Sequence, residues 1–290
     1  MSPLRYPGGK GKVANFLKLV MLDNGLVESE YIEPYAGGAS VALSLLFEDY
    51  ASHIHINDVN PGVHAFWKAC LEQSAELCEL IRSTPVTVET WLAQREAHRD
   101  PSTCGLDLAF ATFFLNRTNR SGIISGGVIG GLDQTGPWKI DARYNVEALV
   151  ARIQKVARFG SRISLTNLDA ADLLADWADR TEQAFLYLDP PYYVKGGDLY
   201  EHFYGHEDHV RIAELVTGLR HPWLVSYDAA PEIIDIYDGA TARTYGLYYS
   251  AHGRVIGSEV MYCSPGLTLP AEDPSGISSR DVARALTSAG

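Results

Sequence analysis

Four consecutive residues, Asp189-Pro190-Pro191-Tyr192, carry the strongest chemical signal in the chain. The run before them, Phe185-Leu186-Tyr187-Leu188, reads as a central buried strand, which puts the acid at that strand's carboxyl end. Ligands of open α/β sheets bind at that edge. Two prolines stiffen the turn, fix φ and remove two backbone donors, leaving carbonyl oxygens as acceptors. A carboxylate, a carbonyl and an aromatic face together suit an exocyclic amine on a planar heteroaromatic ring. Asp189, Pro190, Pro191 and Tyr192 are therefore the candidate catalytic group. The plain structural alternative is a turn that exposes its Asp to solvent.

A second constellation is Glu33-Pro34-Tyr35-Ala36-Gly37-Gly38-Ala39-Ser40, where a strand meets a glycine loop and the loop meets a helix. Glycine lets a ligand approach the backbone, and a helix N-terminus offers free N–H groups. Asp58 follows Gly38 by 20 residues, at the end of the next strand. A carboxylate there can accept from both hydroxyls of a ribose. Glu33, Pro34, Gly37, Gly38 and Asp58 thus form a candidate site for a nucleoside-containing cofactor. A tight turn and a helix-capping Asp would leave the same pattern. A third element, Arg5-Tyr6-Pro7-Gly8-Gly9-Lys10, precedes an amphipathic helix. Tyr6 could pack on a ligand and Lys10 contact its carboxylate, or the stretch could be a flexible turn with an exposed Lys.

The elements that must position these residues follow from periodicity. Val13, Phe16, Leu17, Val20 and Met21 predict a helix over 12–22. Tyr31 to Glu33 is a short strand, and Ser40 caps an apolar helix through Phe47. His53 to Asn57 is a strand, and Asn60-Pro61 supply a cap and first-turn proline to the next helix. This alternation predicts a parallel sheet. Helices are expected over 86–100 and 105–117 and around Leu149, Ile153 and Val156. Residues 121–145 are glycine-rich without a long apolar pattern, and loops of that length are usually functional or disordered. The α/β rhythm resumes with strands at 162–166, 184–188 and 223–226 and helices at 170–178, 207–219 and 231–237. Thr241–Tyr249 and Ser258–Cys263 read as an antiparallel pair. The fold class is α/β, a Rossmann-like sheet, mostly parallel, with a C-terminal antiparallel hairpin and a mainly helical insert. Residues 1–69 and 161–265 make the catalytic domain, 70–160 the insert, and 266–290 a loosely ordered tail.

The chain has 290 residues, 46% apolar and 21% charged, enough to bury a core without disulfides or metal. Its net charge of −12 excludes a protein that coats nucleic acid by overall charge. Charge is uneven, however. Residues 108–162 carry eight basic against three acidic residues, +5, which leaves −17 for the remainder. Such a stretch is either a solvated helical face or a local nucleic-acid surface. Cys70, Cys78, Cys104 and Cys263 form no Cys-x-x-Cys pair and no His pair completes a zinc pattern, so no metal is expected. No apolar run approaches the ~18 residues of a membrane span. The N-terminus shows no hydrophobic signal segment, which makes the cytosol the default location.

Tyr6-Pro7-Gly8-Gly9-Lys10, Glu33-Pro34-Tyr35-Ala36-Gly37-Gly38, Asn57-Asp58-Val59-Asn60, Phe114-Leu115-Asn116-Arg117 and Asp189-Pro190-Pro191-Tyr192, in this order, resemble the Dam-like DNA adenine N6-methyltransferases. The resemblance covers about residues 4–263. The Asp-Pro-Pro-Tyr run is shared with other amino methyltransferases, whereas its combination with the Gly-Gly-Lys and Asn-Asp-x-Asn runs is specific. The resemblance implies S-adenosylmethionine as methyl donor, contacted by Tyr6, Lys10, Asp58 and Asp189, with Gly37 and Gly38 lining its pocket. It implies that Asp189, Pro190 and Tyr192 hold an adenine flipped out of duplex DNA. It makes 70–160, including Asn116, Arg117 and the glycine-rich stretch, the target-recognition region; the +5 stretch adds Arg120, Lys139 and Arg143 to Asn116 and Arg117 as candidate DNA contacts. Thr166-Asn167-Leu168-Asp169 falls where the family has a strand end near the donor's adenine. The family often has Trp at the position of Tyr6 and usually glycine at that of Ala39. A cognate restriction endonuclease is a partner that genome context alone would reveal.

Other readings compete. Methylation of RNA adenine or of a glutamine amide would use a related turn, although the large basic insert favours duplex DNA. An NAD-linked oxidoreductase accounts for the glycine loop and Asp58 but not for Asp-Pro-Pro-Tyr. A non-catalytic DNA-binding regulator on this scaffold is opposed by the intact Asp189.

Overall fold

A computed structural model of the chain describes residues 2–5, 13–181, 183–193, 204–249 and 255–288. Its centre is β4 (Ala184–Leu188), a run without a single polar residue that is buried at every position. A strand this apolar needs cover on both faces, and it gets neighbours on both edges as well. On one side lie β1 (Ser29–Glu33), β2 (Ala51–Asn57) and β3 (Ile163–Thr166); on the other lies β5 (Trp223–Asp228). All four pairings among these five strands are parallel, with Tyr31 opposite Phe185 and Leu186 opposite Trp223. β6 (Thr241–Tyr249) and β7 (Val255–Cys263) form an antiparallel hairpin, and β7 pairs antiparallel with β5. The order is β3-β2-β1-β4-β5-β7-β6, the expected sheet with its C-terminal hairpin. Strand order reverses between β1 and β4, so a crevice opens at their shared carboxyl edge. Glu33 ends β1 and Asp189 follows β4, which sets both candidate motifs at that crevice.

Helices cover both faces. α1 (Ala14–Asp23) buries Phe16, Leu17, Val20 and Met21, with Val13 buried just before it, as their spacing requires. α2 (Ser40–Phe47) starts differently from expectation. Ser40 is its first residue rather than its cap, and the cap position belongs to Ala39 in the left-handed conformation. α3 (Pro61–Glu72) is capped as expected: the Asn60 side chain accepts from the N–H groups of Gly62 and Val63 at 2.9 and 3.1 Å. The insert contributes α4 (Ser74–Ser83), which the sequence reading did not anticipate, then α5 (Val88–Arg99), α6 (Gly105–Thr118) and α7 (Val146–Arg158). These helices share the core of the sheet's flank. Phe66 of α3 stacks on Phe113 of α6 with ring centroids 5.7 Å apart and planes 8° from parallel. α8 (Ala170–Ala178), α9 (His206–Thr217) and α10 (Pro231–Ile236) cover the other face through a second apolar cluster.

The tail departs from the loose packing expected of its Ser, Gly and Pro content. The Asn24 side chain both accepts from the Thr268 N–H and donates to its carbonyl, each at 2.8 Å. Asn15 donates to the Ile277 carbonyl, and α11 (Ser279–Ser288) packs on α1 with Ile277 and Val282 buried. The reason is local: sparse apolar residues fall where α1 offers a face, and Asp281 accepts from the Ser278 N–H to start the helix. No helix among the described residues is long and apolar enough to cross a membrane.

Candidate active site

The Asp-Pro-Pro-Tyr turn is held by side chains from β5, β6 and β7. Ser226 of β5 donates to Oδ1 of Asp189 at 2.9 Å, and its hydroxyl shares a second bond with that of Tyr187 at 2.9 Å. Asp228, at the end of β5, accepts from the Tyr193 N–H at 2.9 Å. Glu259 of β7 is fully buried. Its two oxygens accept from the hydroxyls of Tyr192 at 2.9 Å and Tyr245 of β6 at 2.6 Å. A buried carboxylate is costly unless such bonds compensate it. Pro190 and Tyr192 are buried, while Asp189 and Pro191 are half-buried. The acid is therefore fixed in rotation but accessible, and the tyrosine is fixed at its far end.

Across the crevice, the glycine loop is organised by the acid expected to bind a ribose. Asp58 accepts from the Gly37 N–H at 2.8 Å through Oδ2 and from the Asn60 N–H at 2.9 Å through Oδ1. Gly37 sits at φ +46°, and Ala39 repeats that value although it carries a Cβ. Such a conformation costs an L-residue roughly 1–2 kcal/mol, which accounts for the glycine usual at this position in the Dam-like pattern. The Trp67 indole donates to the Gly37 carbonyl at 2.9 Å, closing the loop from below. Asn57 is buried and ties three strand ends together. It donates to the Pro34 and Leu168 carbonyls and accepts from the Thr166 hydroxyl and the Leu168 N–H, all within 3.0 Å.

Glu33 accepts from the Ala42 N–H at 3.0 Å, near the start of α2. Burial lifts its carboxyl from 4.5 to about 8; the Asp189 charge adds to this, and the Ala42 bond and Tyr31 hydroxyl oppose it. Of the expected cofactor residues, Glu33, Pro34, Gly37 and Asp58 thus meet through this network around one crevice, with Gly38 adjoining in the loop. A buried carboxylate held against a glycine turn at the carboxyl edge fits a nucleoside-bearing group. Tyr6 and Lys10 lie outside the described residues.

The expected DNA contacts divide into two sets. Asn116 and Arg117 point inward. The Asn116 amide accepts from the Arg5 N–H at 2.7 Å and donates to the Arg5 and Gly122 carbonyls. Arg117 donates to the Pro3 carbonyl through both Nε, at 2.7 Å, and Nη2. Both residues are buried and anchor the N-terminal strap, residues 2–5, rather than face a surface. Burial, then the charges of Arg152 and Arg5, push the Arg117 pKa down to about 9, which leaves it charged at neutral pH. Arg120, Lys139 and Arg143 are exposed. Lys139 donates to the Gln134 and Gly136 carbonyls at 2.6 and 3.1 Å, bracing its own loop. Arg117, Arg143 and Arg152 line a cavity of about 200 Å³ beside Asp141 and Tyr144. Ser226, Asp228 and Glu259 were missed by sequence reasoning, and Asn57 was read only as part of the Asn-Asp-x-Asn run. Glu259, directly before the apolar run Val260-Met261-Tyr262, was the one local signal, since a buried strand rarely spends a position on Glu without a partner.

Among the described residues, no group of three or more His, Cys, Asp or Glu is arranged to hold a metal ion. No curated protein matches the chain. Solved structures similar to it include the SAM-dependent methyltransferase NGO1261 from Neisseria gonorrhoeae, at 12% identity and TM-score 0.36, covering 93% of this chain and 78% of that one. A precorrin-6y C5,15-methyltransferase from Geobacter metallireducens matches at 9% identity and TM-score 0.35, covering 86% and 87%. The family described as D12 class N6 adenine-specific DNA methyltransferase matches residues 6–252, which span the glycine loop, the insert and the Asp-Pro-Pro-Tyr turn. The chain belongs to this family and is an S-adenosylmethionine-dependent methyltransferase.

Proposed function

We propose that the protein transfers a methyl group to the N6 amino group of adenine in duplex DNA, with the target base flipped out of the helix. The observation that carries this is the Asp189 carboxylate, locked by Ser226 at the carboxyl end of β4, beside a tyrosine locked by Glu259. An adenine amino group is a poor nucleophile because its lone pair is delocalised into the ring. Asp189 and the Pro190 carbonyl accept its two N–H bonds, favouring a pyramidal nitrogen whose lone pair is available. Tyr192 supplies a face for the base, and its hydroxyl bond to Glu259 prevents the ring from turning away.

When bound, S-adenosylmethionine supplies a methyl group on a sulfonium. Asp58, Gly37, Gly38, Glu33 and Pro34 are the described residues that would hold it, and Asp58 would accept the ribose hydroxyls. Tyr6 and Lys10 complete the set by their place in the sequence. The crevice brings donor site and acceptor site to adjacent strands, so that alignment rather than a covalent enzyme intermediate provides the acceleration. Extruding a base costs a few kcal/mol, offset by stacking and hydrogen bonds in the pocket. The test is transfer from labelled donor to duplex DNA, RNA and a glutamine-containing peptide in parallel. Label in adenine of duplex DNA is expected; label confined to RNA or peptide would replace the reading, and label in none would return the scaffold to a binding role.

A further inference from the structure

The chain has five tryptophans, and four are buried: Trp67, Trp91, Trp177 and Trp223 are each 2% exposed or less. Trp138 is 66% exposed. It stands in the glycine-rich segment of the insert, and that segment is built rather than slack. The Gln134 side chain donates to the Ile129 and Gly131 carbonyls and accepts from the Ile140 N–H, at 2.6–2.8 Å. Gly136 donates to the Gly130 carbonyl at 3.0 Å, and Lys139 ties back to Gln134 and Gly136. Gly130 sits at φ +88°, and a Cβ there would come within 2.8 Å of the Trp138 carbonyl. The loop is thus knotted so that its backbone is fixed while its indole is left in solvent. None of these bonds serves to bury the ring.

The surroundings of the ring are cationic. The Arg143 guanidinium lies over it, 5.9 Å from the ring centre. Arg143 also lines the cavity it shares with Arg117 and Arg152, with Arg5 close enough to feel the charge of Arg143. The Tyr144 hydroxyl at that cavity is buried without a hydrogen-bond partner among the described residues. Asp141 lines the same cavity and offsets one of these charges, leaving an excess of cations that repel one another unless a further anion joins them. A flat, exposed aromatic beside such a cluster has the two features of a nucleic-acid surface: a face on which a base stacks and cations that meet the backbone.

We propose that Trp138 is a base-stacking contact of the DNA interface, with Arg143 and the arginine-lined cavity turned to the neighbouring phosphates. This rests on the duplex-DNA reading above and adds to it the residue that touches a base outside the flipped adenine's pocket. Because the other tryptophans are buried, the emission accessible to acrylamide belongs to Trp138. Saturating duplex is expected to quench that component and shield it, and Trp138→Phe should lack it. Trp138→Ala should weaken duplex binding roughly 5- to 150-fold, the range for loss of one stacked base. It should leave the slope of log K against log salt unchanged, whereas Arg143→Ala should flatten that slope by about one unit. Trp138→Phe, which keeps an aromatic face, should retain most of the affinity. Unchanged acrylamide access in saturating duplex, or full affinity in Trp138→Ala, overturns the inference while methyl transfer to DNA still stands. A wild-type chain that binds no duplex overturns the DNA reading itself and this contact with it.

Discussion

Ser226 and Glu259 act on the turn that would do the chemistry, each through one hydrogen bond to a residue of Asp-Pro-Pro-Tyr. Removing the Asp189 carboxylate should lower kcat by at least roughly 10²–10³-fold, the scale of losing one group that acts on the transition state. Ser226→Ala should cost less, roughly 10- to 150-fold, since a hydrogen bond to a charged group contributes roughly 1.5–3 kcal/mol. Its KM for donor and DNA should hold, because the hydroxyl orients Asp189 and touches neither ligand. Single-turnover rates with calorimetric donor binding check both variants, and normal turnover in Asp189→Ala would remove the acid from the mechanism. Glu33 makes a pH prediction. Its folded pKa, about 8, lies above its ordinary 4.5, so the folded state holds a proton that the unfolded state has released. Its contribution to stability is present below about pH 4.5 and is lost as pH rises towards 8, at up to about 1.4 kcal/mol per pH unit. Glu33→Gln removes this titration, so urea unfolding from pH 5 to 8 should show a flatter profile in the variant than in the parent. Parallel profiles would mean that Glu33 is ionised in the folded protein.

At the scale of elements, α6 connects the insert to the chain's N-terminal strap. Arg117 and Asn116 grip residues 3 and 5, and Arg152 of α7 donates to the Ser2 carbonyl at 3.0 Å. The strap leads directly into Tyr6 and Lys10. Arg117→Ala should therefore weaken donor binding while leaving the salt slope of DNA binding unchanged; a slope flattened by one unit would instead make Arg117 a phosphate contact, as its charge first implied. Donor calorimetry and salt titration on the same preparation read the two outcomes. The burial of Asn116 and Arg117 had a signal in the sequence, the largely apolar run Ala109-Phe110-Ala111-Thr112-Phe113-Phe114-Leu115, which leaves α6 no solvent face from Ala109 onward. Counting charges along the chain does not use that signal. Strands β1 to β5 and the stripes of α1 and α3 were legible because periods of two and 3.6 are local properties. The grip of Ser226, Asp228 and Glu259 on the turn was not, since it depends on β5 lying beside β4 and on β7 pairing with β5. Ala39 shows the same limit at short range. Serine beside it has the right chemistry for a cap, but the backbone turns left-handed one residue earlier and Ser40 becomes the first residue of the helix.

For the whole molecule, the crevice between β1 and β4 would join the proposed donor site on the glycine loop to the proposed acceptor site on the Asp-Pro-Pro-Tyr turn. The insert shares its core with α3, so the basic surface is fixed relative to that crevice by packing such as Phe66 on Phe113. In a chain of net charge −12, the stretch 108–162 carries +5, which favours approach of a polyanion from that side. The central claim, N6 methylation of adenine in duplex DNA, is tested most directly in cells that lack adenine methylation. Their DNA is digested to nucleosides and weighed by mass spectrometry after expression of this chain or of Asp189→Ala at equal level. N6-methyladenine is expected in DNA from the first culture and none from the second. DNA free of N6-methyladenine in both, with new methyl groups on RNA adenine or protein amides in the first, would contradict the claim.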